Sequence, residues 1–212
     1  RGACAGPLVI ASVIFPPPSL QLPEQLLGIA DSKLLTPRKR DFLFDQINQF
    51  ALAVTIVCVS VEEIDADGVH AANIAGMRRA LLALNPAPQY VLTDGFAIAG
   101  VGIQGLAVWK GDQVSAAIAA ASIIAKVTRD RLMVSLDSQF PEYGFAKHKG
   151  YITRAHESAL KTYRPSTVQR KSFSNIAAFL GSCPDYSRFK FLGIASGLPP
   201  RHIRTPPRPG SE

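Results

Sequence analysis

Residues 90–131 constrain the fold of this chain more than any other stretch. An apolar run, Tyr90, Val91, Leu92 and Thr93, stops at Asp94 and Gly95. A second apolar run, residues 102–109, stops at Lys110, Gly111 and Asp112. An Ala-rich segment, residues 113–133, follows with no Gly or Pro inside it. Each run has the length of a strand and ends at a Gly-containing turn. Alanine is the best helix former, and Asp112 stands where an N-cap belongs. The order reads as strand, acid, strand, acid, helix. Two carboxylates at the carboxyl ends of neighbouring strands face one another at one end of a sheet. Such a pair offers the hard oxygen ligands that divalent metals take. Asp-Gly is equally the signature of a plain turn, and Asp before a helix that of a plain cap. The residues alone leave both readings open.

The rest of the chain supplies the other layers. Residues 7–15 form a dense apolar strand ended by Pro16, Pro17 and Pro18, which cannot continue a ladder. Thr36 and Pro37 read as the N-cap and first residue of a helix over 38–50, with Phe42, Leu43, Ile47 and Phe50 at helical spacing. Arg38, Lys39 and Arg40 in its first turn oppose the helix dipole, which is useful if an anion sits nearby. Residues 52–61 predict a strand, the acidic stretch 60–67 a turn, and residues 69–84 a helix. A short helix over 153–163 follows the long one. The element order is β-α-β-α-β-β-α-α, an α/β class with a mixed sheet whose one face the long helix covers.

At 212 residues the chain is one domain of generous size, or one domain with a tail. Residues 181–212 are dominated by Pro, Gly, Ser and Arg, and predict a basic, largely disordered tail behind a domain over 1–180. No apolar run has the length to span a bilayer, and no secretory signal opens the chain. The net charge of +7 suggests a polyanionic partner, with nucleic acid the first choice. Cys4, Cys58 and Cys183 have neither disulfide nor metal spacing, which suits a reducing cytoplasm.

Three further clusters carry chemistry. Asp31, Ser32 and Lys33 precede a helix with a basic first turn, a combination suited to phosphate or simply to a helix entry. Lys147, His148, Lys149, Gly150 and Tyr151 place two cations, an imidazole and an aromatic within five residues. In a nucleic-acid enzyme Lys holds phosphate and Tyr stacks on sugar or base; the bland alternative is a solvated loop. His148 or His156 offers a general base, although lone histidines are more often structural. Asp130 is a rival carboxylate, but with Arg129 and Arg131 beside it a structural ion pair is the better reading.

Taken together these words resemble ribonuclease HII. The matching stretches include residues 1–9, Asp31-Ser32-Lys33-Leu34, Glu63-Ile64-Asp65, Thr93-Asp94-Gly95, Lys110-Gly111-Asp112, residues 119–133, His148-Lys149-Gly150-Tyr151 and Arg170-Lys171-Ser172-Phe173. They run in the family's order. The resemblance implies an RNase H-like fold, a mixed five-stranded sheet flanked by helices. It implies a monomeric cytoplasmic endonuclease that cuts the RNA strand of RNA/DNA hybrids, and single ribonucleotides embedded in duplex DNA, leaving 3′-OH and 5′-phosphate ends. Four carboxylates of the family hold two Mg²⁺ or Mn²⁺ ions, one activating water and the other stabilising the leaving 3′ oxygen. Two of the four map onto Asp94 and Asp112. Tyr151 maps onto a tyrosine that packs against the ribose at the junction. Arg1 and Gly2 map onto a Gly-Arg-Gly motif that senses the 2′-hydroxyl, and Ser32 and Lys33 onto phosphate contacts. Lys149 and Arg170 complete the expected nucleic-acid-binding set.

Two departures stand out. In the family, Asp-Glu-x-Gly comes immediately before the Arg-Gly that opens this chain, on a strand central to the sheet. That Asp-Glu pair supplies the other two metal ligands. The sequence therefore predicts an N-terminally truncated domain, inactive or nearly so as written. Gln169 stands where the family more often has His before Arg170. A rival from another class is a non-catalytic module that binds hybrid duplexes, which needs the basic cluster and Tyr151 but has no use for Asp94 and Asp112.

Overall fold

The computed structural model describes residues 2–17, 23–26, 29, 32 and 34–180. Arg1, Asp31, Lys33 and the tail over 181–212 lie outside the described residues. Strand β1 (Leu8–Ile14) pairs antiparallel with β2 (Ala53–Val59), Leu8 opposite Val59 and Ile14 opposite Ala53. Strand β3 (Val91–Asp94) pairs parallel with β4 (Gly105–Val108), Asp94 opposite Val108. The fold is mixed α/β, as the sequence predicts, with the described strands in two sheets of two strands each.

Helix α1 (Pro37–Phe50) starts as its sequence dictates. The Thr36 hydroxyl accepts from the Lys39 amide at 3.3 Å, and Pro37 takes the first turn, where its missing N–H costs nothing. Helix α2 (Val61–Leu82) corrects the expected turn over 60–67. Ser60 caps it by accepting from the Glu63 amide at 3.2 Å, and Glu62 and Glu63 favour the positive end of the helix dipole. The acids that read as a turn are thus a helix start. Gly68, at φ 79°, kinks the helix just before the segment whose apolar spacing is legible.

The two faces of the β1–β2 ribbon are covered by different helices. Leu8 and Ile10 pack with Val59 against Ile64, Ala72 and Ala80 of α2. Ala11 and Val13 point to the other side, toward a cluster built by Leu43 and Ile47 of α1 and by Ile123, Ile124 and Val127. The last three belong to α4 (Ala116–Gln139), which follows the single turn α3 (Gly111–Val114). A third cluster, with Met133, Phe145, Leu160 and Ile176, gathers α4 with α5 (Phe145–His148), α6 (Arg154–Tyr163) and α7 (Ser174–Ala177). Cys4 and Ala5 are buried in the same cluster, so the opening loop is anchored in the core.

Between β1 and β3 lies a cleft of about 690 Å³. Its walls are consecutive residues of both strands, its floor Met77 and Leu81 of α2 with Ala117, Ala121 and Ala125 of α4, and Asp94 lines it. Among the described residues neither β1 nor β3 pairs with a strand on this side. No described helix is long and apolar enough to cross a membrane.

Candidate functional site

Parallel pairing places the carboxyl ends of β3 and β4 on the same side, and both acids follow from that. Asp94 is the last residue of β3, and the ladder runs one step further through the Gly95 amide, which donates to the Val108 carbonyl at 3.0 Å. After β4 the chain turns at Lys110, in the left-handed region at φ 51°, and enters α3. The Gly111 amide then donates to Asp94 Oδ1 at 3.1 Å. One backbone bond thus holds the Asp94 carboxylate against the turn that carries Asp112. Asp94 is exposed; Asp112 is 8% exposed and lies in the first turn of α3. Asp112 is therefore not the cap of the long helix, as the sequence suggested. Ser115, extended at φ −125°, separates the two helices and occupies the N-cap position of α4. Ordered carboxylates at adjacent strand ends can accept a proton or hold a hard cation. Among the described residues no group of three or more His, Cys, Asp or Glu gathers at one point.

A second assembly joins the opening loop to the Lys-Gly-Tyr loop. The Cys4 amide donates to the Gly150 carbonyl at 2.9 Å, and the Arg170 amide donates to the Cys4 carbonyl at 2.8 Å. Gly150 has φ +78°, and a Cβ there would lie 2.6 Å from the Ala5 carbonyl oxygen, so the close approach requires glycine. Arg129 ties these strands of backbone together. It donates to the carbonyls of Pro7 at 3.2 Å, Ala5 at 2.9 Å and Lys149 at 2.8 Å, and its guanidinium lies 5.9 Å from the centre of the Tyr151 ring. Burial lowers its pKa. Sequence reasoning saw Arg129 only as a neighbour of Asp130. The available signal was its position four residues before Met133, on a buried stripe of α4.

The remaining candidates divide. Tyr151 is 45% exposed, with the Arg129 guanidinium over its ring, and Gly2 is exposed. The Lys149 ammonium donates to the Ala146 carbonyl beside that tyrosine. Ser32 is buried, its hydroxyl 2.8 Å from that of Ser122. Arg170 is fully buried; it donates to the Gly6 carbonyl at 3.0 Å and stacks over Phe173, and burial beside Arg129 pulls its pKa down to about 10. Its side chain holds the opening loop from beneath. Asp130 pairs with Lys126 at 2.8 Å, an ion pair as read, though with a partner one turn away. His148 and His156 stack with ring centres 4.4 Å apart, and His156 is fully buried. Both therefore serve the packing. Gln169, also buried, accepts from the Ser166 amide at 2.7 Å.

Comparison with known proteins finds a family for this chain. A family model described as Ribonuclease HII matches residues 1–176. The chain is 51% identical over 181 residues to Ribonuclease HII of Salinispora arenicola, covering 85% of this chain. It spans 66% of that relative's length. The structure is similar to that of the ribonuclease H2 from Pyrococcus horikoshii OT3, with a TM-score of 0.70 and 28% identity over 84% of this chain and 92% of the other. It also resembles Bst-RNase HIII in complex with Mn²⁺, with a TM-score of 0.56 and 17% identity over 85% of this chain and 66% of the other. That last likeness concerns the fold alone.

Proposed function

Because the chain belongs to the ribonuclease HII family, we propose that it is built to cut the RNA strand of RNA/DNA hybrids and single ribonucleotides in duplex DNA. The observation that carries the reading is the bond from the Gly111 amide to Asp94, which joins the two acidic turns at one end of a parallel strand pair. In this reading Asp94 and Asp112 are metal ligands. Their all-oxygen donor set fits Mg²⁺ or Mn²⁺. Such ions, when bound, supply activation of water and neutralise charge on the leaving 3′ oxygen.

The protein's own groups do the rest. The Asp94 carboxylate is held in orientation by a backbone amide and needs no reorganisation to act. Tyr151, steadied by Arg129, packs against the ribose. The backbone around Gly2, fixed at its base by Arg129 and Arg170, reads the 2′-hydroxyl, and Lys149 holds a phosphate. Two carboxylates are half of the family's ligand set. The cleft between β1 and β3 supports the insertion of one more strand there, and Asp94 lines it. We assign that place to a strand bearing Asp-Glu-x-Gly, which would bring the other two acids.

The test is cleavage of a DNA duplex carrying one ribonucleotide, with Mg²⁺ and with Mn²⁺. The chain as written is compared with a version preceded by an Asp-Glu-x-Gly strand, each with and without Asp94→Asn. Cutting on the 5′ side of the ribonucleotide by the extended version only, lost in Asp94→Asn, is the expected result. Cutting by the chain as written would overturn the ligand assignment. Duplex binding without cutting by either version would favour a binding module.

A further inference from the structure

A second cleft, of about 600 Å³, opens between the start of α1, the middle of α4 and the end of α5. Five cations line it: Arg40, Lys126, Arg131, Lys147 and Lys149. Its two acids are already engaged, Asp130 with Lys126 at 2.8 Å and Asp41 with Arg131 at 3.0 Å. Arg40, Lys147 and Lys149 are left without a carboxylate among the described ion pairs. Two features point to an anionic occupant. The first turn of α1 holds Arg38, Lys39 and Arg40 and no acid, so these cations repel the positive end of their own helix unless an anion lies nearby. The cations are also held in place. Arg40 donates to the Ser32 carbonyl at 2.9 Å and to the Leu35 carbonyl, and Arg131 stacks over Phe44 at 4.5 Å.

We propose that this cleft is a phosphate-binding track for the backbone of a nucleic-acid duplex, beyond the cleavage junction. The proposal rests on the reading of the chain as a duplex-cutting enzyme and extends its contact surface. The cleft has the right neighbours for this role. Lys149 belongs both to it and to the loop that carries Tyr151, and Arg40 holds the backbone around Ser32. A duplex seated on Tyr151 therefore has a continuous row of cations along one arm. The contacts are to phosphate, so they carry no sequence preference and serve hybrid and DNA duplexes alike.

The experiment is duplex binding by the full chain, with EDTA present, measured across a salt series for the wild type and for Lys147→Ala, Lys147→Arg and Lys161→Ala. Lys147 is exposed in the cleft; Lys161 is an exposed lysine of α6 outside it. Removing one cation from a phosphate lowers the slope of log affinity against log salt by about 0.9. Lys147→Ala should show that drop in slope and bind roughly 3-fold less salt-sensitively over a fourfold range of salt. Lys147→Arg should keep the wild-type slope, and Lys161→Ala should leave it unchanged. An unchanged slope in Lys147→Ala, with native circular dichroism, would overturn the proposal. An equal drop in Lys161→Ala would overturn it as well, because the effect would then be one of net charge. Failure of the wild type to bind any duplex at low salt would instead strike the proposed function itself.

Discussion

Gly150→Ala isolates the contact between the two loops on which the candidate nucleic-acid surface depends. The substitution has two costs. Gly150 sits at φ +78°, where an L residue is strained by roughly 1–2 kcal/mol. The added Cβ also meets the Ala5 carbonyl oxygen at 2.6 Å, so the loops must part by about 0.8 Å to reach ordinary contact at 3.4 Å. Neither side yields freely. The Ala5 carbonyl is held by Arg129 at 2.9 Å, and the Gly150 carbonyl accepts from the Cys4 amide at 2.9 Å. Parting them weakens about one hydrogen bond, worth roughly 1 kcal/mol, so the full cost is about 2–3 kcal/mol. Urea unfolding followed by circular dichroism measures it. Gly102→Ala is the control, since Gly102 has φ +69° and open space where a Cβ would go. It should cost only the backbone part, about 1–2 kcal/mol. Equal destabilisation of the two variants would refute the reasoning, because the loop contact would then contribute nothing.

Two other outcomes follow from the same geometry. The Asp65 carboxylate accepts from the Lys171 amide, the Ser172 amide and the Ser172 hydroxyl at 2.9, 2.9 and 2.7 Å, so Asp65→Ala should destabilise the chain by roughly 1–3 kcal/mol in urea unfolding. A change below about 0.5 kcal/mol would mean that the Arg170-bearing turn stands without it. His156 has its pKa lowered, chiefly by burial and also by His148, from the ordinary 6.5. Its contribution to stability is thus complete above pH 6.5 and is lost as pH falls below it, because the unfolded chain takes up the proton first. The Tm should fall as pH drops below 6.5, and the fall should be smaller in His156→Gln; equal slopes in the two proteins would exclude His156 as the cause.

The words that mark the family are, in the structure, the words that touch. Glu63-Ile64-Asp65 and Arg170-Lys171-Ser172-Phe173 are far apart in the chain, yet Asp65 accepts three bonds from the second. Local signals were readable where the physics is local. Thr36 and Pro37 announced α1, Pro16 and Pro17 follow the end of β1, and Asp94 and Asp112 lay at the ends of apolar runs whose strand character needed only length and turn residues. The start of α2 was misread because acids after a Ser serve a turn and a cap equally well, and Gly68 hid the continuation.

The sequence by itself determined the order of elements, the two carboxylates and the basic loops, because periodicity, capping and turn chemistry act over a few residues. What each cation does was decided by the tertiary structure. Arg129, Arg131 and Arg170 are the same residue type in basic stretches. Arg129 ends inside the backbone it clamps, Arg170 is fully buried beneath the opening loop, and Arg131 lines an open cleft. The reason is that the energy of a charge depends on its surroundings: a buried guanidinium is stable only where carbonyls converge on it. The carbonyls of Ala5, Gly6 and Pro7 come from more than a hundred positions away, and only folding brings them to these guanidinium groups.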